Sequence, residues 1–168
     1  MGFPLLDPDA RQELTHPGFP GVTFRARAIA RGRWLFLRNS MLLAMEKAER
    51  RAVADLKASG VDPDANLGTE AYAFTALQKR RNLDPEGEQE IFGLNLEIVR
   101  WGLVEVEGLE LSGAPFHPGK EVVPHEGESV EILSRSGCRV LSAQPGLIVW
   151  LANKVWELNE LGIPGKKS

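Results

Sequence analysis

Three histidines, one cysteine and a crowd of carboxylates are the residues of this 168-residue chain that could take part in bond making or metal binding. His16, His117 and His125 each stand beside a proline, and no two are spaced as ligands on one helix face. A metal site needs several nitrogen, sulfur or oxygen donors converging on one point. His125-Glu126-Gly127-Glu128 comes nearest and lacks a second histidine, so it reads as a solvated acidic loop. Cys138 would be a nucleophile only with a base to activate it. Arg135 and Arg139 lie near it in sequence, but no family signature surrounds it, and a small buried thiol fits better. There is no Gly-x-Ser-x-Gly elbow and no phosphate loop, since Gly165-Lys166-Lys167-Ser168 follows no strand and precedes no helix. The carboxylates of residues 84–131 show no spacing that singles out an acid–base pair, and such crowds are usually a wet surface. The expectation is a protein without catalytic residues, metal or cofactor. An enzyme with an unfamiliar site would need a concave pocket of convergent polar groups.

The charges are unevenly placed. Residues 11–51 hold nine Arg and Lys against three Glu, a local net of +6, while residues 84–131 hold twelve acids against Arg100 and Lys120, a local net of −10. The total is −3. Either the two stretches face each other or one of them meets a charged partner. Arg25, Arg27, Arg31 and Arg33, interleaved with Phe24, Trp34 and Phe36, form the candidate surface for a charged partner. Basic residues among aromatics can bind nucleic acid. The acidic balance and the absence of a recognisable module argue against nucleic acid as the main ligand.

The four tryptophans carry a second signal. Trp34 and Trp101 fit the apolar stripes of their helices. Trp150 and Trp156 lie six apart, about 600° around a helix at 100° per residue, and so point to different sides. Either that helix is central and packed on both sides, or one side meets a partner chain or a second copy. Leu147, Trp150 and Trp156 are the candidate protein-binding residues.

These side chains depend on a short series of elements. Residues 1–21 are punctuated too densely by proline and glycine for regular structure and read as an irregular segment. Val22–Ile29 alternates apolar and basic residues, as a strand does. Trp34–Ser59 reads as a long helix with Trp34, Leu37, Met41, Met45, Ala48, Ala52 and Leu56 on one face, stopped by Gly60. A shorter helix is expected at Thr69–Arg81, and a third from Pro85 to Gly102 with Ile91, Leu94, Ile98 and Trp101 inward. Leu103–Leu111 is extended around Gly108, and pairing with Val22–Ile29 would set acidic residues against basic ones across the ladder. Ser112–Pro124 reads as a loop, and Gly127–Ser134 as a short helix or an extended run, with Val130, Leu133 and Ser134 on one side favouring the helix. Pro145 opens a last helix that buries Ile148, Leu151, Ala152, Val155 and Leu158 and stops at Gly162 and Pro164.

The fold class expected is therefore α+β, mainly α, with four to five helices and a small N-terminal sheet. One domain is expected over residues 22–162, with a frayed tail at 163–168. The longest apolar stretch, Leu147–Ala152, is far short of the roughly 20 residues of a membrane span. The opening residues lack the basic start and apolar run of a signal peptide. With a single cysteine no internal disulfide can form, which suits a reducing compartment, so a cytoplasmic location is expected.

Laid out in this order, the chain resembles tail assembly chaperones of long-tailed bacteriophages and prophages. Three stretches carry the resemblance: the Pro/Gly turn leading into Val22-Thr23-Phe24-Arg25-Ala26-Arg27-Ala28-Ile29; Trp101-Gly102-Leu103-Val104-Glu105-Val106 running on to Gly113-Ala114-Pro115-Phe116; and Trp156-Glu157-Leu158-Asn159-Glu160-Leu161 in the final helix. They cover about half the chain, and the long Trp34–Ser59 helix adds nothing to them. The resemblance implies a small, mostly helical, non-enzymatic protein in the host cytoplasm. It would keep a tape-measure or tube protein soluble during tail assembly, with self-association open. It transfers no catalytic residue.

Overall fold

The computed structural model describes residues 10–58, 60 and 85–160. In chain order these form β1 (Gln12–Thr15), β2 (Thr23–Ala26), α1 (Arg31–Ala58), α2 (Pro85–Gly102), β3 (Leu103–Glu107), β4 (Glu110–Leu111), β5 (Ala114–Pro115), β6 (Lys120–His125), β7 (Glu128–Leu133), α3 (Arg135–Leu141) and α4 (Pro145–Glu160). The fold is α+β and mainly α. The helix expected at Thr69–Arg81, the stops at Gly162 and Pro164 and the tail at 163–168 lie outside the described residues.

The chain forms two compact units, residues 1–34 with 95–168, and residues 35–94. A single domain over 22–162 was the expectation from sequence. The division falls inside α1, after Trp34, and inside α2, before Asn95. Both helices run through it without a break, so no change of composition marks it.

In the first unit, β2 is the middle of an antiparallel sheet of order β1-β2-β3. Leu14, Phe24 and Val106 stand opposite one another and are buried, while Glu13, Arg25 and Glu105 share the other face. The acid–base ladder expected between Val22–Ile29 and Leu103–Leu111 is present, with Arg25 paired to Glu105. The irregular reading of residues 1–21 needs correction at β1. This edge strand buries only Leu14, and one apolar position leaves no alternation to read.

The small N-terminal sheet expected is present, and two further two-stranded sheets accompany it among the described residues. The loop expected at Ser112–Pro124 contains β5 and β6, and the helix expected at Gly127–Ser134 is strand β7. The turns decide this. Ser112-Gly113 and Glu126-Gly127 each place two successive residues at positive φ, the two-residue geometry that folds strands into a hairpin. Pro124 is tolerated in β6 because its pair with Ser129 follows the closing pair His125–Glu128, a position where the ladder needs no N–H. Val130 and Ile132 alternate with Glu131, a period of two that a helical reading overlooks.

α3 follows at once, capped by Ser134, whose Oγ accepts the Gly137 N–H at 3.0 Å. α4 then buries Leu147, Ile148, Leu151, Ala152 and Val155. Asn159, not Leu158, completes this stripe: Leu158 is half-buried and Asn159 is buried. The Asn159 amide donates to the Val155 carbonyl at 2.7 Å, and its Oδ1 accepts the Ile29 N–H at 2.9 Å.

In the second unit α1 buries Leu37, Met41, Ala44, Ala48 and Ala52. Met45, expected on this face, is exposed, and Ala44 takes its place because a spacing of three after Met41 keeps the stripe straight. Gly60, at φ +79°, donates its N–H to the Lys57 carbonyl at 3.1 Å and closes the helix as expected. Lys47 and Glu90 form an ion pair at 3.9 Å within this unit.

Candidate protein-binding crevice

The Pro/Gly turn before β2 is the first wall of an apolar crevice in the first unit. Phe19 donates its N–H to the His16 carbonyl at 3.0 Å, and Gly18 donates to His16 Nδ1 at 2.9 Å, so the turn folds around the imidazole. The His16 ring packs edge-on against Phe19 at 5.3 Å and Trp150 at 4.7 Å, and Trp150 reaches Phe24 at 6.0 Å. These contacts hold Phe19 half-buried at the surface.

The second wall is the β4–β5 hairpin. Phe116 donates its N–H to the Leu109 carbonyl at 2.7 Å, which fixes both residues beside Leu111. The floor comes from Val140 and Leu141 of α3, the Ala143-Gln144 link and Leu147 of α4. Together with Glu110, these residues enclose about 220 Å³. An apolar cavity of about 150 Å³ admits a benzene-sized molecule, so the crevice has room for one large apolar side chain. Leu111 is half exposed at its rim.

Of the three candidate protein-binding residues, Leu147 is buried and forms part of the floor. Trp150 is half-buried and braces His16 behind the Phe19 wall. Trp156 is half-buried elsewhere on α4, edge-on to Trp34 at 4.8 Å. Both sides of α4 therefore carry an indole packed against its own unit. Sequence reasoning missed Phe19, Leu109, Leu111, Phe116 and Val140. The one available signal was the alternation of Leu109 and Leu111 around Glu110.

The four candidate arginines do not form an open basic patch. Arg25 bonds Glu13 at 3.1 Å and Glu105 and Glu107 at 2.9 Å each. These carboxylates raise its pKa, and Arg25 in turn lowers that of Glu105. Arg27 donates to the Glu131 backbone carbonyl. Arg33 reaches Glu97 at 3.5 Å and lies over the Trp101 ring at 4.9 Å. Arg31 is exposed on the first turn of α1.

A buried arginine was also missed. Arg100 donates to the Leu133 carbonyl at 3.2 Å, to Glu97 at 2.7 Å and to Glu121, so its guanidinium ties α2 to the β6–β7 hairpin. Cys138 is buried nearby, and desolvation pushes its thiol up to about 12, the opposite of an activated nucleophile. Among the described residues no three His, Cys, Asp or Glu gather to hold a metal ion, and no helix is long and apolar enough to cross a membrane. In comparison with known proteins, the chain matches no family model, no curated protein and no solved structure.

Proposed function

We propose that this chain is a non-enzymatic protein-binding factor whose crevice receives an apolar side chain of a partner, and that its role is that of a phage tail assembly chaperone. The observation that carries the binding role is the crevice itself, an apolar recess whose rim and walls reach the surface at Leu111, Phe19 and Phe116. Recesses of this kind seat the anchor residues of amphipathic client helices. The tail-assembly role rests on the sequence resemblance. Its first two stretches pair as β2 and β3, and the second ends at Phe116 on the crevice wall. The client would be a tape-measure or tube protein, bound in the host cytoplasm.

The test is co-expression with the tape-measure protein encoded in the same gene cluster, measuring how much of it stays soluble. The expected result is a soluble complex that Leu111→Asp disrupts while the variant itself stays folded. A cluster without a tape-measure gene, or a tape-measure protein equally soluble without the chain, would overturn the tail-assembly role. A complex indifferent to Leu111→Asp and to Phe116→Ala would overturn the crevice as its site.

A further inference from the structure

The crevice is apolar, yet one of its walls carries a charge. Among the described residues that line it, Glu110 is the single charged side chain. His117 and Arg139 adjoin lining residues in sequence but do not line it themselves. The other acids of this stretch are paired within the fold: Arg25 takes Glu105 and Glu107 at 2.9 Å each, and Arg100 takes Glu121. The Glu110 carboxylate has no ion pair or hydrogen bond among the described residues. The hairpin fixes its place, because Glu110 pairs with Pro115 across β4–β5 and stands between Leu109 and Leu111 on the wall. The floor adds no net field. α3 ends and α4 begins there, so the negative end of one helix dipole meets the positive end of the other. Glu110 therefore sets the sign of the charge that an occupant meets.

We propose that the crevice selects partners whose apolar anchor is flanked, one helical turn away, by a lysine or arginine. This rests on the reading of the crevice as the client site and states which clients it takes. On a helix, residues three or four apart lie about 5–6 Å from each other, so a basic residue there reaches the wall while the anchor fills the recess. An acid at the same place would set like charges side by side, which is how an interface rejects a wrong partner. Glu110 is exposed, so the pair gives discrimination and salt dependence more than raw affinity, on the order of fivefold.

Two synthetic amphipathic peptides of about 15 residues, long enough to form a helix, test it on the full chain. Both carry one phenylalanine anchor. One has lysine a turn either side of it, the other glutamate. Titration calorimetry at low salt should show the lysine peptide binding about fivefold more tightly, with the gap closing as salt rises. Glu110→Gln should remove the preference and Glu110→Lys reverse it. Glu128→Gln, at an exposed acid outside the crevice, should leave it unchanged. Equal binding of the two peptides, lost in Leu111→Asp, would overturn this inference and leave the crevice as a purely apolar client site. A lysine preference that survives Glu110→Gln would overturn it too, since the acidic surface at large would then be drawing the cation. If neither peptide binds, the crevice is not a client site, whether another copy or another part of the chain fills it, and both readings fall.

Discussion

The Asn159 side chain accepts the Ile29 backbone N–H at 2.9 Å, joining residues 130 positions apart at the point where the chain leaves β2 for α1. The same amide donates to the Val155 carbonyl one turn back on α4, so both of its ends are held. The Ile29 N–H has no partner left when this side chain is removed, and a buried unpaired amide costs about 1–3 kcal/mol.

Asn159→Ala should therefore lower unfolding stability by about 1–3 kcal/mol. Urea denaturation followed by tryptophan fluorescence measures this. Leu158→Ala, at the neighbouring half-buried position, should cost less.

A second packing constraint lies at Gly102, the last residue of α2. A Cβ there would come within 2.3 Å and 2.7 Å of the two Val155 methyls and 3.0 Å of its Cβ, a stiff and fully buried neighbour. Gly102→Ala should cost about 1–3 kcal/mol by overpacking. Adding Val155→Ala should return part of that loss, so the double variant is more stable than the sum of the singles predicts. A denaturation cycle over the four proteins gives the coupling.

The Arg25 ladder predicts an acid-side pH dependence. Arg25 holds the Glu105 carboxyl below its usual 4.5. A depressed folded-state value means that the pair's contribution is present above 4.5 and is lost as pH falls through the folded value. Glu105→Gln should lower the melting temperature at pH 7, and its gap to the parent should narrow as pH falls below 4.5. High salt should narrow the difference at pH 7. DNA binding by the parent protein at moderate salt should be absent, because Arg25 is already neutralised by its own acids.

Cys138 predicts the alkaline side. Its thiol is raised from 9.0 to about 12 in the folded chain. The raised value means that its contribution is complete below 9.0 and is lost as pH climbs towards the folded value, with a slope of at most about 1.4 kcal/mol per pH unit. Stability should fall over that window, less so in Cys138→Ala. A thiol reagent should leave the folded protein unmodified at pH 8 and react on unfolding.

The elements that sequence reasoning located well are those with long periodic signals. α2 and α4 begin at Pro85 and Pro145 as expected, since proline suits a first turn and several apolar positions confirm the period. The pairing of Val22–Ile29 with Leu103–Leu111 was readable because a basic strand and an acidic strand stood out in composition, while the register that sets Arg25 against Glu105 was not. The small strands were not readable in this way. β4 falls in the extended stretch expected at Leu103–Leu111, but its partner β5 is only two residues long, and β7 depends on the left-handed conformation of Glu126, a residue that gives little warning of it. Arg100 and Asn159 sit on buried stripes where a polar residue ordinarily breaks the pattern. Their partners, a carbonyl and two carboxylates in one case and a distant N–H in the other, become visible only in three dimensions. The crevice is assembled from a turn, a hairpin and two helices, so no local pattern announces it.

The first unit is built from two stretches far apart in sequence, and this matters for how the protein is made. β1 and β2 leave the ribosome before β3, yet β2 hydrogen-bonds a strand that begins at Leu103, and Arg25 waits 80 positions for Glu105. Until then Phe24 and Leu14 have no completed sheet to enter. Contacts this far apart in sequence slow folding and leave apolar strands open to wrong neighbours. Synthesis that pauses or terminates before Leu103 would therefore release a sticky fragment, and the nascent chain itself would need protection during its own birth.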